Sequence, residues 1–225
     1  EDEYILAWTT TPWTLPSNVA LCVNPIEKYV KIKVSLNEQD DVIKEGEEDT
    51  AVRTEYYYLA EALLSVIEGV YEVVDTYEGK DLEYKEYEPL FDYVNPDKKC
   101  YYVTCDSYVT LTDGTGVVHI APAFGEDDAN VGRNYDLPFV QLVDEKGEFK
   151  PEVTDFAGVF CKKADEGIIR MLGAKGLLFK VLKFEHCYPF CWRCDTPLIY
   201  YAWESWFIKM TEERDRMSGV SHLQQ

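Results

Sequence analysis

Short segments in which apolar and polar residues alternate recur along the chain, and they predict strands. Residues 29–34 read Tyr-Val-Lys-Ile-Lys-Val, which has the two-residue period of a strand that is buried on one face. Residues 71–77 alternate in the same way. Further strands are predicted at 4–9, 19–23, 55–59, 101–112, 117–120 and 177–184, with a hairpin at 140–149.

Helical spacing is rarer and comes in short segments. Residues 60–67, 127–135 and 165–172 predict three short helices. Residues 38–49 are acidic and lack apolar periodicity, so we expect a loop insertion there. Because strands outnumber helices, we predict an α+β fold that is mainly β, with a barrel-like β core and short peripheral helices.

The composition of the chain changes at residue 186, after which cysteine, tryptophan and proline are concentrated. We therefore predict a main domain at 1–185 and an aromatic, cysteine-rich segment at 186–225. Its aromatic residues are too numerous for a free tail, so we expect them to pack against the main body or against a domain outside this chain. The last residues, 212–225, lose apolar content and are predicted to fray.

Composition narrows the functional classes. The 225 residues are 46% hydrophobic, which is enough for a buried core. They include no run of about eighteen apolar residues and no signal peptide, so we expect no membrane span. The start at Glu1 suggests a fragment of a longer protein. Seven cysteines without a secretory signal favour a reducing, cytoplasmic compartment.

The formal net charge of −20 argues against a free-standing nucleic-acid binder, because phosphate contacts need clustered Lys and Arg. The charge is uneven, however. Residues 162–193 contain seven bases and three acids, whereas residues 38–55 contain eight acids and two bases. The basic region could face a phosphate backbone, or it could be ordinary solvated surface.

Two stretches carry candidate chemistry. Residues 8–18 hold four threonines, two tryptophans and two prolines within eleven positions, a stiff loop rich in hydroxyl groups. Residues 114–128 run from a glycine turn through a strand with His119 to Asp127 and Asp128 at a helix start. A carboxylate in a first helical turn is favoured by the helix dipole, so we expect it to be ionised and able to anchor an amino group. Read alone, each stretch could be a strand, a turn and a helix cap.

Together the two stretches resemble the editing domain, or connective-peptide insertion, of isoleucyl-tRNA synthetase, a class I synthetase. A third stretch at 186–198 resembles the segment by which that family's chain returns toward its catalytic domain. The three matches keep the family's order from Trp8 to about Met210. The related valyl and leucyl enzymes typically have Thr-Thr-Arg-Pro where this chain has Thr-Thr-Thr-Pro, and they lack a histidine at the place of His119.

The resemblance implies hydrolysis of valine wrongly attached to tRNA(Ile), with Val-adenylate as a further substrate left open. Such a second site is needed because a pocket for isoleucine cannot strongly reject a side chain that is one methylene smaller. The implied partners are the 3′ end of tRNA(Ile) carrying valine and the remainder of a cytoplasmic, ATP-binding synthetase, and we expect the fragment to be monomeric.

The resemblance also assigns roles to individual residues. Asp128 binds the α-amino group, His119 blocks isoleucine by its bulk, and Trp13 stacks near the terminal adenine. Three further residues are weaker candidates for substrate binding. Asp127 lies beside Asp128, and the other two, Thr14 and Asn18, could serve simply to brace the loop. The threonines expected to bind the ribose and the carbonyl are Thr9, Thr10 and Thr11, and Thr10 or Thr11 is expected also to position water. No nucleophile–base pair stands out, so a positioned water is the expected nucleophile.

Cys191-Trp192-Arg193-Cys194 has the spacing of a zinc knuckle, but a structural zinc usually needs a full tetrahedral set of ligands. His186 and Cys187 could complete the set. In the family, the partner Cys-x-x-Cys precedes the editing insertion, so we expect half a zinc site and no cofactor.

Two other functions remain open. One is a non-catalytic module that docks the tRNA acceptor end, and the other is a zinc-ribbon interaction domain. The joint presence of His119, Asp128 and the threonines favours the hydrolase, since a scaffold does not need them together.

Overall fold

A computed structural model describes residues 2–37, 42–43, 53–182, 188–206, 208, 210 and 213–214. Short strands are its main elements. They are β1 (Asp2–Ile5), β2 (Ala20–Val23), β3 (Lys28–Leu36), β4 (Arg53–Ala60), β5 (Tyr71–Glu78), β6 (Val103–Cys105) and β7 (Val117–Ile120). The helices are α1 (Glu126–Asn134) and α2 (Asp165–Ala174), and the 3₁₀ turns are Pro12–Ser17, Glu61–Val66, Gly79–Leu82 and Cys161–Lys163.

The strands form two sheets. The larger has the order β1-β4-β3-β5, in which β3 is antiparallel to both neighbours and β1 is parallel to β4. The smaller has the order β6-β2-β7. The mainly β, α+β prediction is confirmed, but the barrel-like description was too strong, because the described strands do not close into a barrel. A backbone hydrogen bond links the end of β4 to the segment just before β7, where Ala60 N–H donates to the Thr115 carbonyl at 2.9 Å.

Several local predictions need correction. The predicted helix at 60–67 is a 3₁₀ turn, and the predicted strand at 101–112 is limited to β6. The strand expected at 177–184 is absent from its described part, 177–182. The acidic loop lies largely outside the described residues. At 140–149 the hairpin is reduced to a single bridge between Val143 and Phe149.

The largest buried cluster explains how the threonine-rich segment is held. It combines residues of β2, β7, α1 and α2, including Cys22, Ile120, Val131 and Ile168. Trp13 and Leu15 of the 3₁₀ turn between β1 and β2 are part of the same cluster. Burial of large apolar side chains stabilises a fold by about 1.5–3 kcal/mol each. The turn is therefore fixed to the core on one side, while the threonines before it lie at the rim.

The C-terminal segment packs against the body only in part. The Tyr201 ring lies 6.4 Å from that of Phe124, and Ala202 N–H donates to the Ala123 carbonyl at 2.9 Å. Trp203 and Trp206 beyond it are exposed. The predicted packing of the aromatic segment thus holds at Tyr201. The division at residue 186 stays a prediction.

Among the described residues, no helix combines the length and the apolar character that crossing a membrane would require.

Candidate functional site

The two motifs found in the sequence lie side by side. Trp8 N–H donates to the Val117 carbonyl at 2.9 Å, which attaches the start of the threonine loop to β7. Farther along, the Thr14 hydroxyl lies 3.0 Å from His119 Nε2. The loop and the histidine, which are 105 positions apart in sequence at this contact, therefore belong to one site.

A row of hydroxyl groups runs from the loop to the histidine. Thr11 Oγ1 lies 3.4 Å from both Thr9 Oγ1 and Thr14 Oγ1, and Thr11 N–H donates to Thr9 Oγ1 at 3.0 Å. Thr14 Oγ1 in turn donates to the Thr11 carbonyl at 2.8 Å. Because Thr14 has a single hydroxyl proton, this bond leaves its oxygen as an acceptor toward His119, which then carries its proton on Nε2.

His119 is a neutral side chain in this site. Burial lowers the pKa of its imidazole to about 4, because the charged form loses hydration inside the protein. The residue keeps partial exposure toward a cleft, but its Nδ1 is buried and makes no hydrogen bond to the described residues. A neutral ring held through Nε2 supplies shape and a dipole rather than a cation.

Asp128 connects α1 to the end of β7. Its Oδ2 accepts a hydrogen bond from Ala121 N–H at 2.9 Å, and Ala121 lies two residues beyond His119. At about 3.3 Å per residue in extended chain, the two backbone positions are separated by roughly 7 Å. The N-cap of α1 is Gly125, not Asp128, and a Cβ at Gly125 would lie 2.9 Å from Asp128 Cγ. Glycine there leaves room for the carboxylate.

The electrostatics of Asp128 differ from the expectation. Burial raises the pKa of its carboxyl from 3.8 to about 6, and the charge of Asp127 adds to the rise. The effect of desolvation on the pKa therefore outweighs that of the hydrogen bond from Ala121. The group is still largely ionised at neutral pH, but it would gain much from an ammonium partner.

A cleft of about 820 Å³ opens beside the loop, between the larger sheet and α2. Thr9, Thr10 and His119 line it, with Pro12 and Leu15 nearby. Its opposite wall comes from α2 and the residues after it, including Asp165 and Leu172. Thr11 and Thr14 lie behind the lining, and Asp128 is outside it.

Trp13 does not occupy the position that its suggested role requires. It is only 2% exposed, and its ring packs edge-on against Phe124 with centroids 4.9 Å apart. Neither face is open to an adenine, so the stacking role is wrong for this conformation. The residue instead holds the turn to the core.

Asn18 and Asp127 differ from each other in exposure. The Asn18 amide donates to the Ala20 carbonyl at 2.7 Å, and its oxygen accepts from the Tyr87 hydroxyl at 2.5 Å. It braces the loop from inside the protein. Asp127 is an exposed residue of the first turn of α1, beside Asp128.

Two features were not foreseen from the sequence. Trp8 lines the cleft and packs on Gly114, where a Cβ would lie 2.4 Å from the indole Cγ and where φ is +75°. The Gly-Thr-Gly sequence was a usable signal for this close approach. The second feature is the bond from Trp13 N–H to Asp165 Oδ1 at 2.8 Å, across 152 positions, for which the sequence carries no local signal.

The Cys191–Cys194 segment forms a tight turn. Asp195 N–H donates to the Cys191 carbonyl at 2.9 Å, and Cys194 Sγ lies 3.2 Å from Thr196 Oγ1. The contact with Thr196 lowers the pKa of the Cys194 thiol. His186 and Cys187 lie outside the described residues. The described part of the chain has no group of three or more His, Cys, Asp or Glu side chains suited to a metal. The expectation of half a zinc site stays a prediction.

Three lysines of the basic region contact side chains of this chain. Lys162 lies 4.6 Å from the centre of the Tyr188 ring, Lys175 lies 5.2 Å from that of Phe91, and Lys180 pairs with Glu68. A phosphate-facing role for residues 162–193 stays a prediction.

The chain is similar in sequence to a known protein and similar in fold to solved structures. No protein-family model matches it. The isoleucine–tRNA ligase of Clostridium acetobutylicum is 52% identical over 217 residues, which cover 96% of this chain and 19% of that protein. The chain thus spans about a fifth of the length of the curated relative.

Two solved structures share the fold of this chain. GlLeuRS-CP1 has a TM-score of 0.58 at 13% identity and covers 81% of this chain and 84% of its own. The editing domain of the P. falciparum cytosolic leucyl-tRNA synthetase has a TM-score of 0.54 at 13% identity and covers 77% of each chain. At such identities the likeness establishes the fold.

Proposed function

We infer that this chain, which belongs to the isoleucine–tRNA ligase family and has the fold of a synthetase editing domain, hydrolyses the ester of valine wrongly attached to tRNA(Ile). The observation that carries the proposal is the contact between Thr14 and His119, a residue that lines the cleft. It joins a loop of hydroxyl groups to a bulky neutral side chain. A hydrolytic site that selects by size needs both.

Selection against isoleucine follows from the rigidity of His119. Its ring is held through Nε2 by Thr14, which in turn is bonded to the loop backbone. A side chain longer than valine by one methylene would have to displace this ring. Packed interiors resist such overpacking at a cost of about 1–3 kcal/mol, which is a useful discrimination between the two amino acids.

Asp128 supplies the charge that orients the substrate. Its carboxylate lies beyond the end of β7, and its raised pKa reflects burial of an anion whose pKa no cation of the described residues lowers. An α-ammonium group placed beside it would restore the favourable interaction. We propose that the amino end of the substrate points toward α1 while the ester faces the threonines.

The chemistry is water attack on an ester that is already activated. Thr9 and Thr10 line the cleft and offer hydroxyl groups to the ribose, to the carbonyl oxygen and to the attacking water. The low pKa of His119 makes it a weak base, so we assign it no proton transfer. Positioning supplies the rate enhancement. As the water oxygen bonds to the carbonyl carbon and the ester bond to the ribose breaks, the departing ribose oxygen takes up the proton that the water loses, relayed by the neighbouring free ribose hydroxyl.

The partners follow from the same proposal. The aminoacylated 3′ end of tRNA(Ile) enters the cleft, and the rest of a synthetase delivers it, since a chain with a net charge of −20 attracts little RNA by itself. We propose a cytoplasmic setting, a monomeric chain and hydrolysis without a cofactor.

The test is a deacylation assay with Val-tRNA(Ile) and Ile-tRNA(Ile), using the longest polypeptide that contains this chain. We expect faster hydrolysis of the valyl ester, and its loss in Asp128→Ala. Asp127→Ala is the matched control, because it removes an exposed carboxylate one position away. Binding of tRNA without hydrolysis of either ester would instead favour a docking module, and equal rates for both esters would refute the size selection.

A further inference from the structure

The 3₁₀ turn that follows the threonines begins without a cap from its own sequence. Thr11 is at the N-cap position but makes no side-chain capping bond. Pro12 has no N–H, and Thr14 N–H is satisfied by the Thr11 carbonyl at 3.0 Å. Trp13 N–H is therefore the backbone donor of this first turn that has no acceptor within the turn itself.

Asp165, on the other side of the cleft, accepts the hydrogen bond from this N–H group. Its Oδ1 accepts from Trp13 N–H at 2.8 Å. A threonine at an N-cap would ordinarily use its own hydroxyl for this purpose. Because Asp165 does so here, the Thr11 hydroxyl stays within 3.4 Å of the Thr9 and Thr14 hydroxyls, in the row that leads to His119.

The anchor is itself well fixed. Asp165 is the first residue of α2, whose Ile168 and Leu172 are buried in the main core. Its Oδ2 lies 3.9 Å from Lys162 Nζ, which gives the partly buried carboxylate a cationic neighbour. A hydrogen bond from a backbone N–H to an ionised carboxylate is among the stronger ones in proteins.

We propose that Asp165 is a positioning residue for the editing reaction, which caps the turn at Trp13 and so keeps the threonine hydroxyls in the row that leads to His119. This rests on the proposed hydrolysis of Val-tRNA(Ile). Asp165 acts through the loop, not on the substrate.

The experiment compares Asp165→Ala, Asp165→Asn and the control Glu166→Ala in the longest polypeptide that contains this chain. Glu166 is the exposed acid next to Asp165 in the same helical turn. Two quantities are measured: kcat and KM for Val-tRNA(Ile), and hydrogen exchange of the Trp13 amide. An asparagine oxygen can still accept from Trp13, so it should rescue what alanine loses.

In Asp165→Ala we expect kcat to fall about ten-fold or more, because small misplacement of a positioned group is costly, with KM changed by less than about two-fold. Exchange at Trp13 should become at least about ten-fold faster. Asp165→Asn should stay within about three-fold of the wild type in both, and Glu166→Ala should match the wild type.

The outcomes separate the two proposals. Faster exchange with an unchanged kcat would overturn the positioning role, and unchanged exchange in Asp165→Ala would overturn the cap itself. An equal loss of kcat in the asparagine variant would also refute it, because a charge effect would then explain the result. A wild-type protein that does not hydrolyse Val-tRNA(Ile) overturns the proposed function, and the positioning role then fails with it, whatever the exchange shows.

Discussion

Replacing Asp128 by asparagine should make the protein more stable and less active at the same time. The substitution keeps the size of the side chain and an oxygen that can accept from Ala121 N–H, but it removes the charge. The carboxyl has a pKa of about 6 in the folded protein against an ordinary value of 3.8. Ionised Asp128 is thus better solvated in the unfolded chain than in the folded one.

The size and sign of the effect follow from that difference. A rise of this size corresponds to about 3 kcal/mol when the group is ionised, and partial solvent screening reduces this to about 1–3 kcal/mol. Since the pKa is raised on folding, the contribution of Asp128 to stability is fully present below about pH 4 and is lost as pH rises through about 6. Asp128→Asn should match the wild type at pH 4 and exceed it above pH 6.

The assay is thermal or urea unfolding of both proteins between pH 4 and pH 8. For a chain of this length, we expect a gain in Tm of about 2–8 °C at pH 7.5, shrinking toward zero at acid pH. Asp127→Asn, on the exposed neighbour, should change stability by less than about 0.5 kcal/mol. Because Asp128→Asn removes the charge that would bind the substrate's α-ammonium group, Val-tRNA(Ile) hydrolysis should slow by roughly ten- to one-hundred-fold.

A loss of stability in Asp128→Asn that grows as the pH rises would refute this reasoning. It would mean that the helix dipole and the bond from Ala121 stabilise the ionised carboxylate more than burial destabilises it, which is what the sequence alone suggests. A gain in stability together with unchanged hydrolysis would separate the electrostatics from the substrate role and refute only the second.

Three other changes probe the site. His119→Ala should raise Ile-tRNA(Ile) hydrolysis toward the valyl rate by opening space for a methylene; a preserved ratio in the deacylation assay would exclude His119 as the barrier. Trp13→Ala should cost about 3–5 kcal/mol in urea unfolding because the ring is core. Gly114→Ala should destabilise by at least about 2 kcal/mol, since φ is +75° and Cβ would meet Trp8; a neutral result would show that the turn relaxes.

The sequence by itself determined the elements whose signal is local. The alternation at 29–34 predicted β3, and helical spacing after Asp127 predicted α1, because side-chain periodicity reports which face of an element is buried. The motifs also identified the family, and they named the loop and the histidine that meet at 3.0 Å. Such patterns can be read from the order of neighbouring residues alone.

Tertiary structure decided what depends on distance between separated parts of the chain. Trp13 could have faced a ligand or the core, and only packing against Phe124 settled it. The pKa of Asp128 depends on how much protein surrounds its carboxyl group. The sequence shows that the residue lies in a first helical turn, but it does not show how far the carboxyl group is removed from water. Asp165 reaches Trp13 across 152 positions, a contact that no local pattern encodes because folding alone brings the two together.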